Sequence, residues 1–332
     1  MNTSPHTPAQ TPGQHPVPQP DRPQPDHPLR LGTRRSPLAM AQAEETRARL
    51  CAAMGWSESA VELCPQVASG DRIQDRPLAE IGGKALWTKE LDAALLHGEI
   101  DFAVHSMKDV ETIRPEEIAI AAVLPRADVR DVLVGAASIA AIPQGARVGT
   151  SAPRRAAQML HARPDVTVVS FRGNVATRLA KLQADEADVT LLAAAGLARL
   201  GETGVGHVLE AEDWLPAPAQ GAIGIECLAG RADIRALLAM IDDAPTHAAI
   251  RAERALLLGL GGTCHSPIAV LTHAEGADLV LRAALFSPDG TLRIEDSARF
   301  AADDEAAPQA LAHRLLEAAP EGIRAFFHGP QA

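Results

Sequence analysis

The chain has four cysteines in 332 residues and nothing that would join them. Cys51, Cys64, Cys227 and Cys264 form no CxxC pair and have no companion histidines at metal-ligand spacing. A disulfide framework and a structural zinc site are therefore not expected, no metal is assigned, and reduced thiols in the cytoplasm fit better. No apolar run approaches the roughly 20 residues that span a bilayer, so no membrane association is expected. The first 28 residues are polar and proline-rich, without the basic start and apolar centre of a signal peptide, and read as a disordered tail. A GxxxxGK[ST] phosphate loop is missing too, which leaves phosphoryl transfer without support. Positive charge is in deficit, 31 basic against 42 acidic side chains for a net charge of −11, and this argues against nucleic acid as a partner.

What is present has the balance of a soluble globular protein, 46% hydrophobic and 22% charged, and the length suggests two or three domains. Strand-like runs at 29–33, 61–68, 100–104, 118–124, 130–135, 166–170 and 189–193 alternate with helical stretches at 36–54, 87–97, 152–161 and 174–183. This alternation predicts an α/β fold of mainly parallel sheets covered by helices. A crossover at 216–221 followed by a buried strand at 222–228 suggests that the chain returns to its first sheet, as a hinge between two lobes. After a helix at 247–258, runs at 268–272, 279–286 and 292–300 alternate around Gly and Pro turns as an antiparallel meander. The expected domains are 29–124 with 222–241, then 125–221, then a smaller α+β domain at 242–332. Residues 69–83, with paired glycines and no sustained period, read as a lid loop.

Chemistry concentrates where the apolar run at 100–104 ends in ionisable groups, with His105, Lys108 and Asp109 at or just past its end. Ligands of open α/β sheets sit at such strand ends. Arginines recur as Arg34 with Arg35, Arg154 with Arg155, and Arg172 with Arg178, each group at a turn where a strand hands over to a helix. A solvated face explains each group alone. Brought together, they would make a carboxylate or phosphate pocket, because the guanidinium fork matches such groups bidentately. Ser36-Pro37 reads as a helix start, since serine accepts from open backbone donors and proline lacks one.

Read as strings, LGTRRSPLA, IGGKALWTKEL, AVHSMKDV, SFRGNVATRL, AQGAIGIEC and GGTCHSPI stand in the order and at about the spacing of the porphobilinogen deaminase (hydroxymethylbilane synthase) family. The resemblance covers nearly all of the chain from Leu29 onward. It implies two periplasmic-binding-protein-like lobes with hinge crossovers and a C-terminal domain. It also implies a cytoplasmic, monomeric transferase of porphyrin and heme biosynthesis, which joins porphobilinogen head to tail into the linear tetrapyrrole hydroxymethylbilane and releases ammonia at each addition. Hand-over of product to the next enzyme belongs to the same picture. The family works on a covalent dipyrromethane cofactor, which by motif position would be attached to Cys264.

By the same resemblance Asp109 matches the catalytic aspartate, and Lys108, Arg154, Arg155, Thr150 and Ser36 match cofactor-binding positions. Arg34, Arg172, Arg178, Arg199 and Gln220 match positions near incoming substrate and chain. An aspartate suits the chemistry because losing ammonia from an aminomethylpyrrole leaves a cation whose charge is shared with the ring nitrogen. The arginines suit the acetate and propionate arms of every ring. Four positions depart from the family: Ala152 for a serine, Glu111 for a proline, Trp87 for a phenylalanine and Ala219 for a glycine. Without its third domain the chain would read instead as a two-lobed receptor or regulator module that binds a small carboxylate without reacting.

Overall fold

The computed structural model describes residues 24–68, 87–263, 266–327 and 329. The expected lid at 69–83 and the tail up to residue 23 lie outside them. The chain first lays down β1 (Leu29–Arg34), α1 (Pro37–Met54), β2 (Val61–Gln66), α2 (Lys89–Leu96), β3 (Phe102–Ser106) and β4 (Ile118–Val123). It then crosses to β5 (Asp131–Val134), β6 (Arg147–Gly149), α3 (Pro153–Ala162), β7 (Thr167–Val169), α4 (Val175–Gln183), β8 (Val189–Ala193), α5 (Ala194–Arg199) and β9 (His207–Val208). β10 (Ile223–Leu228) carries it back, giving sheets of order β2-β1-β3-β10-β4 and β7-β6-β8-β5-β9.

Each sheet is half parallel, β1 with β2 and β3 in one and β6 with β7 and β8 in the other, rather than mainly parallel as the sequence suggested. The strands that arrive from a crossing, β5 and β10, run antiparallel to both neighbours. β3 has a strand on each side, and four of its five residues are buried, so it reads as an apolar run rather than an alternation. It lies two residues further along than the sequence suggested. His105 is therefore inside the strand and buried, not beyond its end.

After α6 (Ala232–Leu238) and α7 (Ala244–Leu260), the strands β11 (Ile268–Glu275), β12 (Asp278–Phe286) and β13 (Arg293–Ala301) form the antiparallel meander. α8 (Ala306–Ala318) and α9 (Glu321–Arg324) close it over a core that includes Leu256, Leu260, Leu281 and Leu311. The fold is α/β, two sheet lobes with a smaller α+β domain.

The two crossings lie side by side. Leu124 N donates to Ile223 O at 3.0 Å and Ala127 N to Gly221 O at 3.2 Å. Arg126 clamps them, donating to Gln220 O at 3.0 Å and to both oxygens of Glu253 on α7 at 2.8 and 3.1 Å. The buried Glu253 carboxylate also accepts from Ala219 N, so the third domain holds both strands of the hinge. Gly221 needs its φ of +83°, and a Cβ there would lie 2.6 Å from Ala127 O. Ala219, where the family has glycine, takes φ +58° despite its methyl group.

Candidate active site

The turn that carries Lys108 and Asp109 is fixed by its neighbour Met107. Met107 is buried with Val110, Val123 and Ala222, and its backbone N donates to Ala222 O at 3.1 Å. A Cβ on Gly224 would sit 2.0 Å from the Met107 sulfur, so glycine there is what lets the anchor in. With Met107 facing the core, the one-turn helix Met107–Asp109 leaves Asp109 at the surface of the cleft, its side chain 35% exposed. Arg34 Nη1, at the end of β1, is 3.9 Å from Asp109 Oδ2, and the Arg34 guanidinium lies 4.1 Å from the centre of the Trp87 ring.

Behind this turn lies a cluster of charge centred on Arg114. It donates to Glu226 at 2.9 and 2.8 Å, to Asp92 Oδ2 at 3.1 Å and to Glu111 Oε2 at 3.1 Å. Burial opposes charge on Glu226, but His105 at 3.3 Å and then Arg114 outweigh it and bring its carboxyl down to about 2. Glu111, the residue in place of proline, also accepts from the buried Thr88 hydroxyl at 2.8 Å. Arg254 of α7 donates to the backbone carbonyls of Glu111 and Thr112 at 2.7 and 3.0 Å. The segment after Asp109 is thus tied to α2, to β10 and to the third domain.

The facing wall is organised around a carboxylate. Asp131, fully buried at the start of β5, accepts from Arg154 at 2.8 Å, from Arg155 at 3.1 and 2.7 Å, from Trp214 Nε1 at 2.9 Å and from Gln220 at 2.8 Å. Burial would raise its pKa, yet Arg154 and Arg155 hold it far below the usual carboxylate range. Arg154 and Arg155 spend further donors on the carbonyls of Leu215 and Leu191. Both guanidiniums, and Gln220 with them, are buried and joined through this one carboxylate. Asp131 was missed because a lone acid before Val-Leu-Val reads as an ordinary strand start. A buried strand opening on a carboxylate, in a chain with an arginine pair elsewhere, was the signal.

Lys108 joins the two walls. Burial first, then the nearby guanidiniums of Arg155 and Arg178, bring its amine down to about 8, against the pull of Asp109 and Asp131. Arg178, brought to about 10 by burial and by Arg155, is also close enough to feel Asp109 and Arg172. Arg34, Lys108, Asp109, Arg155, Arg172 and Arg178 are thus linked by mutual charge around the Met107–Asp109 turn.

Other expected site residues also bond within the protein. Ser36 caps α1, accepting from Ala39 N at 3.3 Å, and the Thr150 hydroxyl accepts from Ala152 N at 3.2 Å. Ala152, where the family has serine, can make no side-chain hydrogen bond, while Ser151 beside it bonds to Phe171 O at 2.9 Å. Arg199 spans the lobes, with Nε 3.5 Å from Glu45 on α1 and Nη2 donating to Gly221 O at 3.0 Å. Cys264 lies outside the described residues. Two residues before it in the sequence, Gly262 O accepts at 3.2 Å from the hydroxyl of Thr112, three residues on from Asp109.

Two family models match the chain: porphobilinogen deaminase, dipyromethane cofactor binding domain, over residues 29–236, and porphobilinogen deaminase, C-terminal domain, over residues 247–317. The chain is 57% identical over 310 residues to the porphobilinogen deaminase of Sphingopyxis alaskensis, covering 91% of this chain and 98% of that protein. It is 49% identical to the enzyme of that name from Paracoccus denitrificans, over 90% of this chain and 96% of that protein. With the Nitrobacter winogradskyi protein of the same name it shares 46% identity, again over 90% and 96%. A solved structure of the periplasmic aliphatic sulphonate binding protein SsuA from Escherichia coli aligns with 70% of this chain and 74% of that one, at 15% identity and a TM-score of 0.37.

Proposed function

The chain belongs to the porphobilinogen deaminase family, and from that premise we propose which of its residues perform the condensation of porphobilinogen into hydroxymethylbilane. The observation that carries the reading is the division of charge across one cleft, with the Asp109 carboxylate on one wall and the cations of Lys108, Arg155, Arg172 and Arg178 gathered opposite and around it.

That donor set fits a dipyrromethane. Lys108 is held down to about 8 by burial and by neighbouring cations, so the carboxylate arms of a bound pyrrole would supply the missing counter-charge. Lys108, Arg155 and Arg172 would hold those arms, and Cys264 would provide the thioether from a loop that Thr112 ties to the Asp109 segment. When bound, the cofactor supplies the open ring position to which porphobilinogen units are added.

Asp109 acts on the incoming substrate. Its carboxylate accepts a hydrogen bond from the pyrrole N–H. As ammonia leaves the aminomethyl group, the positive charge that spreads onto the ring nitrogen develops beside the negative oxygen. At about 4 Å and an effective dielectric near 20 this attraction is about 4 kcal/mol, near three powers of ten in rate. Once the new carbon–carbon bond has formed, the same carboxylate can receive the proton lost as the ring regains aromaticity. Arg34 and Arg178 neutralise the substrate's acetate and propionate arms and leave the reacting nitrogen to Asp109.

We place the chain in the cytoplasm as a monomer that passes its product to the next enzyme. Among the described residues no helix is long and apolar enough to cross a membrane. Intact mass tests the cofactor assignment. The wild-type protein should carry a dipyrromethane adduct that Cys264→Ser lacks, and the same adduct mass on the variant would contradict the attachment site.

A further inference from the structure

The condensation joins two centres that the chain carries on different domains. Asp109 belongs to lobe one, while Cys264, to which the reading above attaches the cofactor, follows α7 in the third domain. A new carbon–carbon bond needs its two carbons within about 3.5 Å, and a misplacement of about 1 Å can cost about a hundredfold in rate. Whatever keeps the two domains in register is therefore part of the chemistry.

The segment after Asp109 shows how this is done. Residues 110–117 belong to neither helix nor strand, so their backbone carbonyls have no ladder to join. Arg254, half-buried on α7, supplies donors instead. Its Nη2 reaches Glu111 O at 2.7 Å and Thr112 O at 3.0 Å, and Nη1 lies 3.5 Å from Val110 O, so three successive carbonyls turn toward one guanidinium. About two turns further along, α7 stops at Gly261. The φ of +63° there lets Gly261 N donate to Leu258 O at 3.1 Å and Gly262 N to Leu257 O at 2.9 Å. Gly262 O in turn accepts from the Thr112 hydroxyl, which closes a circuit of contacts from the catalytic turn into α7 and back. On the other side of Asp109, Met107 is anchored in lobe one through its buried side chain and its bond to Ala222 O.

Resting on the roles given above to Asp109 and Cys264, we propose that Arg254 is a positioning residue. With Thr112 it fixes the catalytic turn against the end of α7, and so sets the distance between the carbon activated beside Asp109 and the ring that receives it. That distance governs capture of the cation rather than its formation. Loss of ammonia depends on Asp109, which Met107 continues to hold in lobe one. A cation whose partner ring is out of reach adds water instead, giving the hydroxymethylpyrrole and a proton.

The test gives equimolar porphobilinogen to wild type, R254Q, R254K, T112V and D109N, each with its cofactor confirmed by mass. Ammonia released is compared with rings added, counted by intact mass, and with free hydroxymethylpyrrole. The wild type should give ammonia and added rings in equal number. R254Q should add rings about tenfold to a hundredfold more slowly and release more ammonia than it adds rings, the excess appearing as the hydroxymethyl compound. R254K keeps the charge and part of the bonding and should recover some of the loss, while T112V should show the same imbalance with a loss of about two- to fivefold. Before substrate is added, hydrogen exchange in R254Q should be faster than in the wild type at 110–114 and 261–263 together, and unchanged at β3. Equal ammonia and rings in R254Q and T112V, at whatever melting temperature, would overturn the proposal and leave Arg254 as a strut between domains. So would faster exchange confined to one of the two segments. Should R254Q fail to fold, R254K and T112V decide the point by the same ratio. A native rate in D109N, or the adduct on Cys264→Ser, would remove the reading beneath the proposal and the proposal with it. A crippled D109N beside a balanced R254Q would overturn this proposal alone.

Discussion

Under one wall of the cleft a single arginine, Arg114, serves three carboxylates; under the other a single carboxylate, Asp131, serves two arginines. The two clusters are built from the same pair of chemical groups in inverse proportion. Each gives its wall a surplus of one sign, negative behind Asp109 and positive behind Arg155 and Arg178. A substrate that becomes cationic at its ring nitrogen while keeping anionic arms needs that opposition. Neither surplus could be held by surface residues alone, where solvent and salt would screen it.

The comparison is broken most severely at Asp131. Asp131→Asn leaves two buried guanidiniums without their shared counter-charge, and breaking such a pair costs about 3–5 kcal/mol. Thermal denaturation should show a drop of that order, and intact mass should show mostly cofactor-free protein. A stable, fully loaded variant would mean that the lobe-two wall does not depend on its carboxylate.

Glu226 gives a smaller effect with a direction in pH. Its folded pKa of about 2 lies below the ordinary glutamate value of 4.5, so its stabilisation is complete above about pH 4.5 and is lost as pH falls toward 2. The shift corresponds to about 3 kcal/mol at most. Glu226→Gln should lower the melting temperature at pH 7 and flatten its fall between pH 5 and pH 3, compared by calorimetry across that range. An unchanged acid limb would show that the Arg114 cluster draws little from this carboxylate.

The hinge offers the mildest change. Ala219 takes a left-handed φ, which costs an alanine about 1 kcal/mol more than a glycine. The methyl group is also buried against Met107, Val123 and Ile250, which offsets the strain by about 0.8 kcal/mol, so Ala219→Gly should change stability by less than about 0.5 kcal/mol in denaturant unfolding without altering either wall. A loss well above about 1 kcal/mol would mean that packing of the methyl group outweighs its strain.

Much of this was legible in the sequence because it is local. Continuous apolar runs marked β3 and β10, alternation marked β12 and β13, and Ser36-Pro37 marked the start of α1. β6, β9 and α5 were not read, being two to six residues long and too short to show a period. At the site, Asp109 and the arginines were picked out through their strings, but the buried clusters centred on Arg114 and Asp131 were not. Nothing in the spacing of Asp131 from Arg154 and Arg155 says that they meet, since the contact is made by β5 and α3 packing in three dimensions. In the same way Glu111 looked like an incidental loss of proline, and only the positions of Thr88 and Arg114 reveal it as part of a charge cluster.

The charge of Asp109 is the point on which the division of the cleft turns, and Asp109→Asn removes it while keeping shape and hydrogen-bonding capacity. The measurement is single-turnover ammonia release by enzyme whose cofactor has been confirmed by mass. The account predicts a folded, loaded variant whose release is slower by about three powers of ten. Release at a near-native rate would contradict it, because the negative charge at this wall would then not be what drives loss of ammonia.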